Sequence, residues 1–201
     1  LVADGCMLNK CRILEACANP DYIMEHYFAR LQNAIRLYWD KPAVCNYRGE
    51  VFTYGQLATQ IERFHIFFEA CGIRKGDRIA ICAKNTARMA VSFLSVNTYE
   101  TVVVPILSDF TPESVNHLVD HSESVILFTD NDIWAKLDKS KMPRLKAVAS
   151  VNDFTLLYAA DESISNAFAS VPELFSAKYP MGFTGENVHY NTDNWDDLDI
   201  I

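Results

Sequence analysis

Phe52-Thr53-Tyr54-Gly55-Gln56-Leu57 opens a stretch whose reading decides the fold. It continues through Gly72-Ile73-Arg74-Lys75-Gly76-Asp77-Arg78-Ile79-Ala80-Ile81-Cys82 and closes on Val125-Ile126-Leu127-Phe128-Thr129-Asp130. Thr53-x-x-Gln56 is a capping box: the hydroxyl can accept from the Gln56 amide while the Gln side chain reaches back. Leu57, Ile61, Phe64, Phe68 and Cys71 follow at helical spacing and form a core-facing stripe. Gly72 suits the residue after that helix, because it enters the left-handed region without a Cβ clash. Lys75-Gly76-Asp77 turns the chain into an apolar strand over 78–83. Asn85 is placed to cap the next helix, with Met89, Ala90, Phe93 and Leu94 facing inward. A β-branched run over 101–106 is a second strand. Pro105 lacks a ladder N–H and is expected to end or bulge it. Thr111-Pro112 is a cap followed by proline at the first helical position. Val115, Leu118 and Val119 then face the core, and 125–129 is the third strand.

Apolar strands alternating with amphipathic helices imply βαβ units. The expected class is α/β, with a wound, largely parallel sheet and helices on both faces. Upstream, a helix is expected from Asp21, with Tyr27, Leu31, Ala34, Ile35 and Tyr38 on one stripe. Residues 43–47 and 51–53 then flank Arg48-Gly49-Glu50 as a small β-hairpin. Residues 1–20 carry a short amphipathic pattern (Met7, Leu8, Cys11, Leu14) and stand as an unassigned extension. Downstream, 133–137 is a short helix, 147–151 a strand and 163–177 a helix. In that last helix Ile164, Ala167, Phe168, Val171, Leu174 and Phe175 lie on one side, and Pro172 should kink or end it. Residues 178–194 are loop-like, and 196–201 begin another strand.

The chain has 201 residues, half of them apolar, which is enough to bury a sizeable core. A formal net charge of -8 argues against a nucleic-acid or anionic-membrane partner, which would need clustered Lys and Arg. The small basic run Lys136, Lys139, Lys141, Arg144 and Lys146 reads as a solvated loop. No apolar run approaches the ~20 residues of a transmembrane segment, and there is no signal-peptide pattern at the start. None of the six cysteines forms a C-x-x-C pair. Cys45, Cys71 and Cys82 fall in apolar surroundings and are expected to be buried and reduced. The spacing of Cys6, Cys11 and Cys17 fits neither a zinc knuckle nor a disulfide framework. A cytoplasmic protein is expected.

Catalytic motifs are largely missing. The turn Lys84-Asn85-Thr86-Ala87-Arg88 has no glycine, so helix capping outweighs anion binding there. Gly182-Phe183-Thr184-Gly185 has neither the spacing nor the Lys of a phosphate loop and reads as a plain turn. His117 and His121 share a helix face, but Leu118 stands where a metalloprotease has Glu, so a surface pair is expected. His65 falls between stripe positions as a surface or edge histidine without a role. No G-x-S-x-G elbow exists. Asp193, Asp196, Asp197 and Asp199 lack the glycine and terminal Glu of a calcium loop.

The ordered set Phe52-Thr53-Tyr54-x-x-Leu57, Gly72-Ile73-x-x-Gly76-Asp77-x-Ile79-Ala80-Ile81, Asn85, Val102-x-Val104-Pro105 and the strand ending in Asp130 resembles the N-terminal part of the adenylate-forming enzymes. These are the AMP-binding acyl-CoA synthetases, luciferases and peptide-synthetase adenylation domains. The wording around Val102-Val103-Val104-Pro105-Ile106-Leu107 is most similar to bacterial fatty-acyl-CoA ligases. One departure is Tyr99-Glu100-Thr101, where family members usually carry glycine. The family's Ser/Thr/Gly-rich phosphate loop follows an Asp-Asp-Leu-Asp-Ile-Ile type of strand, and this sequence ends at Ile201. The resemblance thus implies that 21–201 is the N-terminal portion of such a domain, incomplete at its C-terminus.

What the resemblance implies for the parent is ATP-dependent fatty-acid–CoA ligation. A carboxylate attacks the α-phosphate of ATP, pyrophosphate leaves, and the CoA thiol then displaces AMP. ATP, Mg²⁺, CoA and a fatty acid would serve the parent, with no cofactor held by this chain and no catalytic, cofactor-binding or metal-binding residue assigned within it. The chain alone would be an inactive scaffold, and a homodimer is one assembly open to it. A stand-alone α/β binding or dimerisation module is the competing expectation, and a small independent enzyme is a third.

Overall fold

The computed structural model describes residues 26–191. Expectations for residues 1–20, for Cys6, Cys11 and Cys17, for the acidic cluster at 193–199 and for the strand at 196–201 lie outside the described residues. The first described helix, α1 (Tyr27–Leu37), has His26 at its N-cap, where Nδ1 accepts from the Phe28 amide at 3.1 Å. It buries Phe28 and Ile35 rather than the whole expected stripe, and Tyr38 is half exposed. Strands β1 (Pro42–Cys45) and β2 (Val51–Thr53) pair antiparallel around a turn in which Arg48 takes φ 53. Cys45 is exposed, which corrects its expected burial. A two-stranded ribbon has an open face, and Cys45 stands on it.

Helix α2 (Tyr54–Ala70) begins with the capping box: Gln56 N donates to Thr53 Oγ1 and Thr53 N donates to Gln56 Oε1. All five residues of its expected stripe are buried, and so are Ile66 and Phe67. Gly72 follows the helix at φ 64, as its position predicted. Gly55 answers a different need: a Cβ there would stand 2.6 Å from Trp39 Cε2.

The main sheet holds β3 (Arg78–Cys82), β4 (Val102–Ile106), β5 (Ile126–Thr129), β6 (Ala147–Ser150) and β7 (Leu156–Ala159), in the order β4-β3-β5-β6-β7. β3 is parallel to β4 and β5, and β5 is parallel to β6. β7 is antiparallel to β6 and closes the far edge. It was not predicted, because its four partly buried residues carry no alternation.

On one face, Ile79, Ile81, Val103, Ile126 and Phe128 pack under α2, under α3 (Ala87–Thr98) and under α6 (Glu162–Lys178). On the other, Ala80, Cys82, Val104, Leu127 and Val148 pack against α4 (Pro112–His121), Met142 and Leu145. The short helix α5 (Asn131–Trp134) joins that second layer through Ile133 and Trp134. Coverage on both sides is the reason the strands read as continuous apolar runs. No helix among the described residues is long and apolar enough to cross a membrane.

Neither proline ends its element. β4 runs through Pro105 in unbroken register with β3. Val102 N donates toward the β3 side, to Asp77 O, so alternate amides from Val102 face β3 and the Pro105 nitrogen faces the other way, toward the edge that carries no further strand among the described residues. α6 runs through Pro172 without a break. The lost bond there is offset by the burial of Val171 and the packing of Phe175 on either side. Leu174, expected on the core side, is 42% exposed. On α3, Val91 and Val96 are buried, whereas the expected inward residues Met89, Ala90, Phe93 and Leu94 are only partly buried, because the helix meets both the sheet and α2.

Candidate functional site

The strand order places a topological switch point between β3 and β5, since the chain leaves β3 toward β4 and returns to β5 on the other side. In open parallel sheets, ligands settle at the carboxyl ends beside such a point. Here that crevice is spanned by the chain's own bonds. Thr129 Oγ1 donates to Cys82 O at 2.7 Å. Asp130, only 2% exposed, accepts from Lys84 N at 2.9 Å and from Asn152 Nδ2 at 3.0 Å. Asn152 Oδ1 in turn accepts from Asn131 N at 2.7 Å, and Lys84 Nζ reaches Asp132 at 3.2 Å. The Lys84 contact holds the exposed Asp132 carboxyl below its ordinary range. This arrangement fixes three strand ends. It contains no nucleophile beside a base.

Sequence reading placed Asp130 at a strand end without seeing its partners. The only local signal was an acid directly after an apolar strand, and Asn152 comes from a turn twenty-two residues on.

The start of α3 is also closed. Thr86, not Asn85, is the N-cap, accepting from Met89 N at 3.1 Å. Asn46 reaches over from the hairpin and accepts from Ala87 N at 2.7 Å. Arg88 clamps the same hairpin through Glu50, with Nε at 2.8 Å and Nη2 at 2.6 Å from the two carboxylate oxygens. Two of the first three amides, those of Ala87 and Met89, are therefore already bonded within the chain.

The histidines separate. His117 and His121 stack on the exposed face of α4 with ring centroids 5.6 Å apart, and no group of three metal-ligating side chains occurs among the described residues. His65, expected as a surface or edge residue, is half-buried. Its Nε2 lies 3.1 Å from Ser95 O and 3.0 Å from Thr98 Oγ1, and its ring packs on Tyr99 at 5.2 Å. The carbonyl can only accept, so Nε2 carries the proton. Burial pushes the imidazole pKa down to about 4, outweighing the opposing pull of Glu62.

Gly185 is more than a turn residue: its missing side chain lets Arg36 approach, and a Cβ would lie 2.9 Å from Arg36 Cα. Arg36 Nη2 donates to Val188 O at 3.0 Å, and Gln32 Oε1 accepts from Tyr190 N at 2.9 Å. The segment before residue 191 is thereby fastened to α1.

A hollow of about 600 Å³ opens between the hairpin and α2, where Trp39, Phe52, Gln56 and Thr59 form walls. A smaller one of about 280 Å³ adjoins it and shares Gln60 and Arg63. Neither contains a nucleophile–base pair.

The family model for AMP-binding enzyme matches residues 31–189, and the chain belongs to that family. A long-chain-fatty-acid–CoA ligase of Yersinia pestis is 28% identical over 109 residues, 54% of this chain and 19% of the ligase. Surfactin synthase subunit 2 of Bacillus subtilis is 26% identical over 102 residues, 51% of this chain and 3% of that subunit. Among solved structures, an anthranilate CoA ligase in complex with anthranoyl-AMP superposes with a TM-score of 0.65 at 12% identity, covering 92% of this chain and 32% of the ligase. At that identity the likeness is one of fold. The chain thus spans less than a third of the length of each of these curated relatives.

Proposed function

We propose that residues 21–201 form the N-terminal portion of an ATP-dependent fatty-acid–CoA ligase, with residues 1–20 an extension of it. The observation that carries this reading is the family match over 31–189 together with the alignment to a fifth of a long-chain ligase. The whole protein would make an acyl-adenylate from a fatty acid and ATP with Mg²⁺, then a thioester with CoA. The scaffold reading is supported by the amides of Ala87 and Met89 and by the switch-point crevice, which are bonded within the chain. No step of the reaction is therefore assigned to them. Their part is to hold the sheet and its helices as scaffold. A cytoplasmic setting accords with the free thiols of Cys45, Cys71 and Cys82.

ATP–pyrophosphate exchange tests this reading. Residues 1–201 alone should give none with short to long fatty acids. The whole protein should exchange and should form acyl-CoA. Positioning ATP against the carboxylate supplies roughly 7–11 kcal/mol of such a barrier, and that machinery is not expected here. Robust exchange by residues 1–201 would overturn the scaffold assignment. A whole protein inactive across all chain lengths would favour a binding or dimerisation module.

A further inference from the structure

The facing stripes of α2 and α6 leave a slot between them. On α2, Gln60, Arg63, Phe64 and Phe67 share one face at i, i+3, i+4 and i+7. Phe168, Val171 and Pro172 answer from α6. Phe67 and Phe168 meet edge to face at 5.1 Å, and beside that contact about 280 Å³ is left unfilled. That is close to the lower bound for small-ligand cavities. Pro172 has no N–H, so the Phe168 carbonyl in the slot wall lacks its usual helical donor.

The turn Asp153-Phe154 closes one side. Phe154 is held at φ 62, a conformation uncommon for so large a side chain. Its ring is locked there by Phe64, edge-on at 5.4 Å, and by the Arg88 guanidinium at 5.0 Å. The wall is thus preformed rather than free to collapse.

Two opposite charges border this apolar space without pairing. Arg63 lies 5.5 Å over the Phe175 ring and makes no ion pair with a carboxylate among the described residues. Asp153 Oδ1 accepts from Thr155 Oγ1 at 2.7 Å and from Thr155 N at 3.1 Å, bonds that keep the carboxyl below its ordinary range and ionised. A singly charged ligand would satisfy one group while desolvating or repelling the other. An uncharged ligand would desolvate both. Aromatic walls favour a flat body, and an ammonium group gains further from ring faces.

We propose that this slot binds a small zwitterion with an apolar body between its charges, the carboxylate meeting Arg63 and the ammonium meeting Asp153. The proposal needs no nucleotide and stands apart from the ligase reading. Para-(aminomethyl)benzoate, benzoate and benzylamine, each titrated into the chain by calorimetry and ligand-observed NMR, test it. The zwitterion should bind about tenfold or more tightly than either singly charged probe. Arg63→Gln should reduce it to the level of benzylamine, and Asp153→Asn to that of benzoate. Arg63 is exposed, and Asn keeps the oxygen that Thr155 needs, so both variants should retain the wild-type near-UV circular dichroism. Equal affinity for the three probes, no binding at millimolar concentration, or unchanged affinity in either folded variant would overturn the assignment.

Discussion

The Asp130 carboxylate is bonded to the Lys84 amide at 2.9 Å and to Asn152 Nδ2 at 3.0 Å, and so ties together the carboxyl ends of β3, β5 and β6. Those strands enter it from three separate loops. A crevice that serves ligands in other parallel sheets is here a structural joint.

Asp130→Ala should therefore lower stability through lost bonds rather than lost packing. It strands the Lys84 amide and the Asn152 amide group next to a buried position, at a cost of about 2–4 kcal/mol. Urea unfolding should show a lower midpoint with an unchanged slope. A midpoint equal to wild type would mean that water replaces the carboxylate without loss.

His65 should make stability depend on pH in a definite direction. Its folded pKa of about 4 lies below its ordinary 6.5, so the unfolded chain binds the extra proton between those values. The stability held by the neutral ring is complete above about pH 6.5 and is lost as pH falls toward 4. The ring retains some solvent access, which limits the effect to about 1–3 kcal/mol. His65→Gln should flatten the wild-type difference between pH 7 and pH 4.5; parallel curves for the two proteins would exclude His65 as the source.

Thiol reactivity should sort Cys45 from Cys71 and Cys82. Burial raises the pKa of both Cys71 and Cys82 to about 11, whereas Cys45 is exposed. Brief native labelling followed by peptide mapping should find Cys45 modified and the other two protected. Labelling in denaturant should reach all three. Rapid native modification of Cys82 would contradict its place beneath α4.

Pro105→Val should cost almost nothing in stability, within about 0.5 kcal/mol, because the proline nitrogen faces away from β3. It would instead restore a donor to an edge that is open among the described residues, next to the exposed Leu107. Sedimentation velocity should reveal more self-association than in wild type. A large loss of stability would place that nitrogen on the β3 side.

Much of the architecture was legible from residue order alone. The capping box at Thr53, the stripe from Leu57 to Cys71, the left-handed Gly72 and the three parallel strands are local patterns with local causes, and they lie where the spacing put them. What only the tertiary structure decided concerns partners distant along the chain. Asn46 caps a helix that starts forty-one residues later, Asn152 completes the Asp130 joint, and Ser95 with Thr98 gives the half-buried His65 ring its partners. The two prolines make the same point. Whether a missing N–H breaks an element depends on which way that nitrogen faces and on how firmly the flanking residues are buried, and both are set by neighbours in space rather than in sequence.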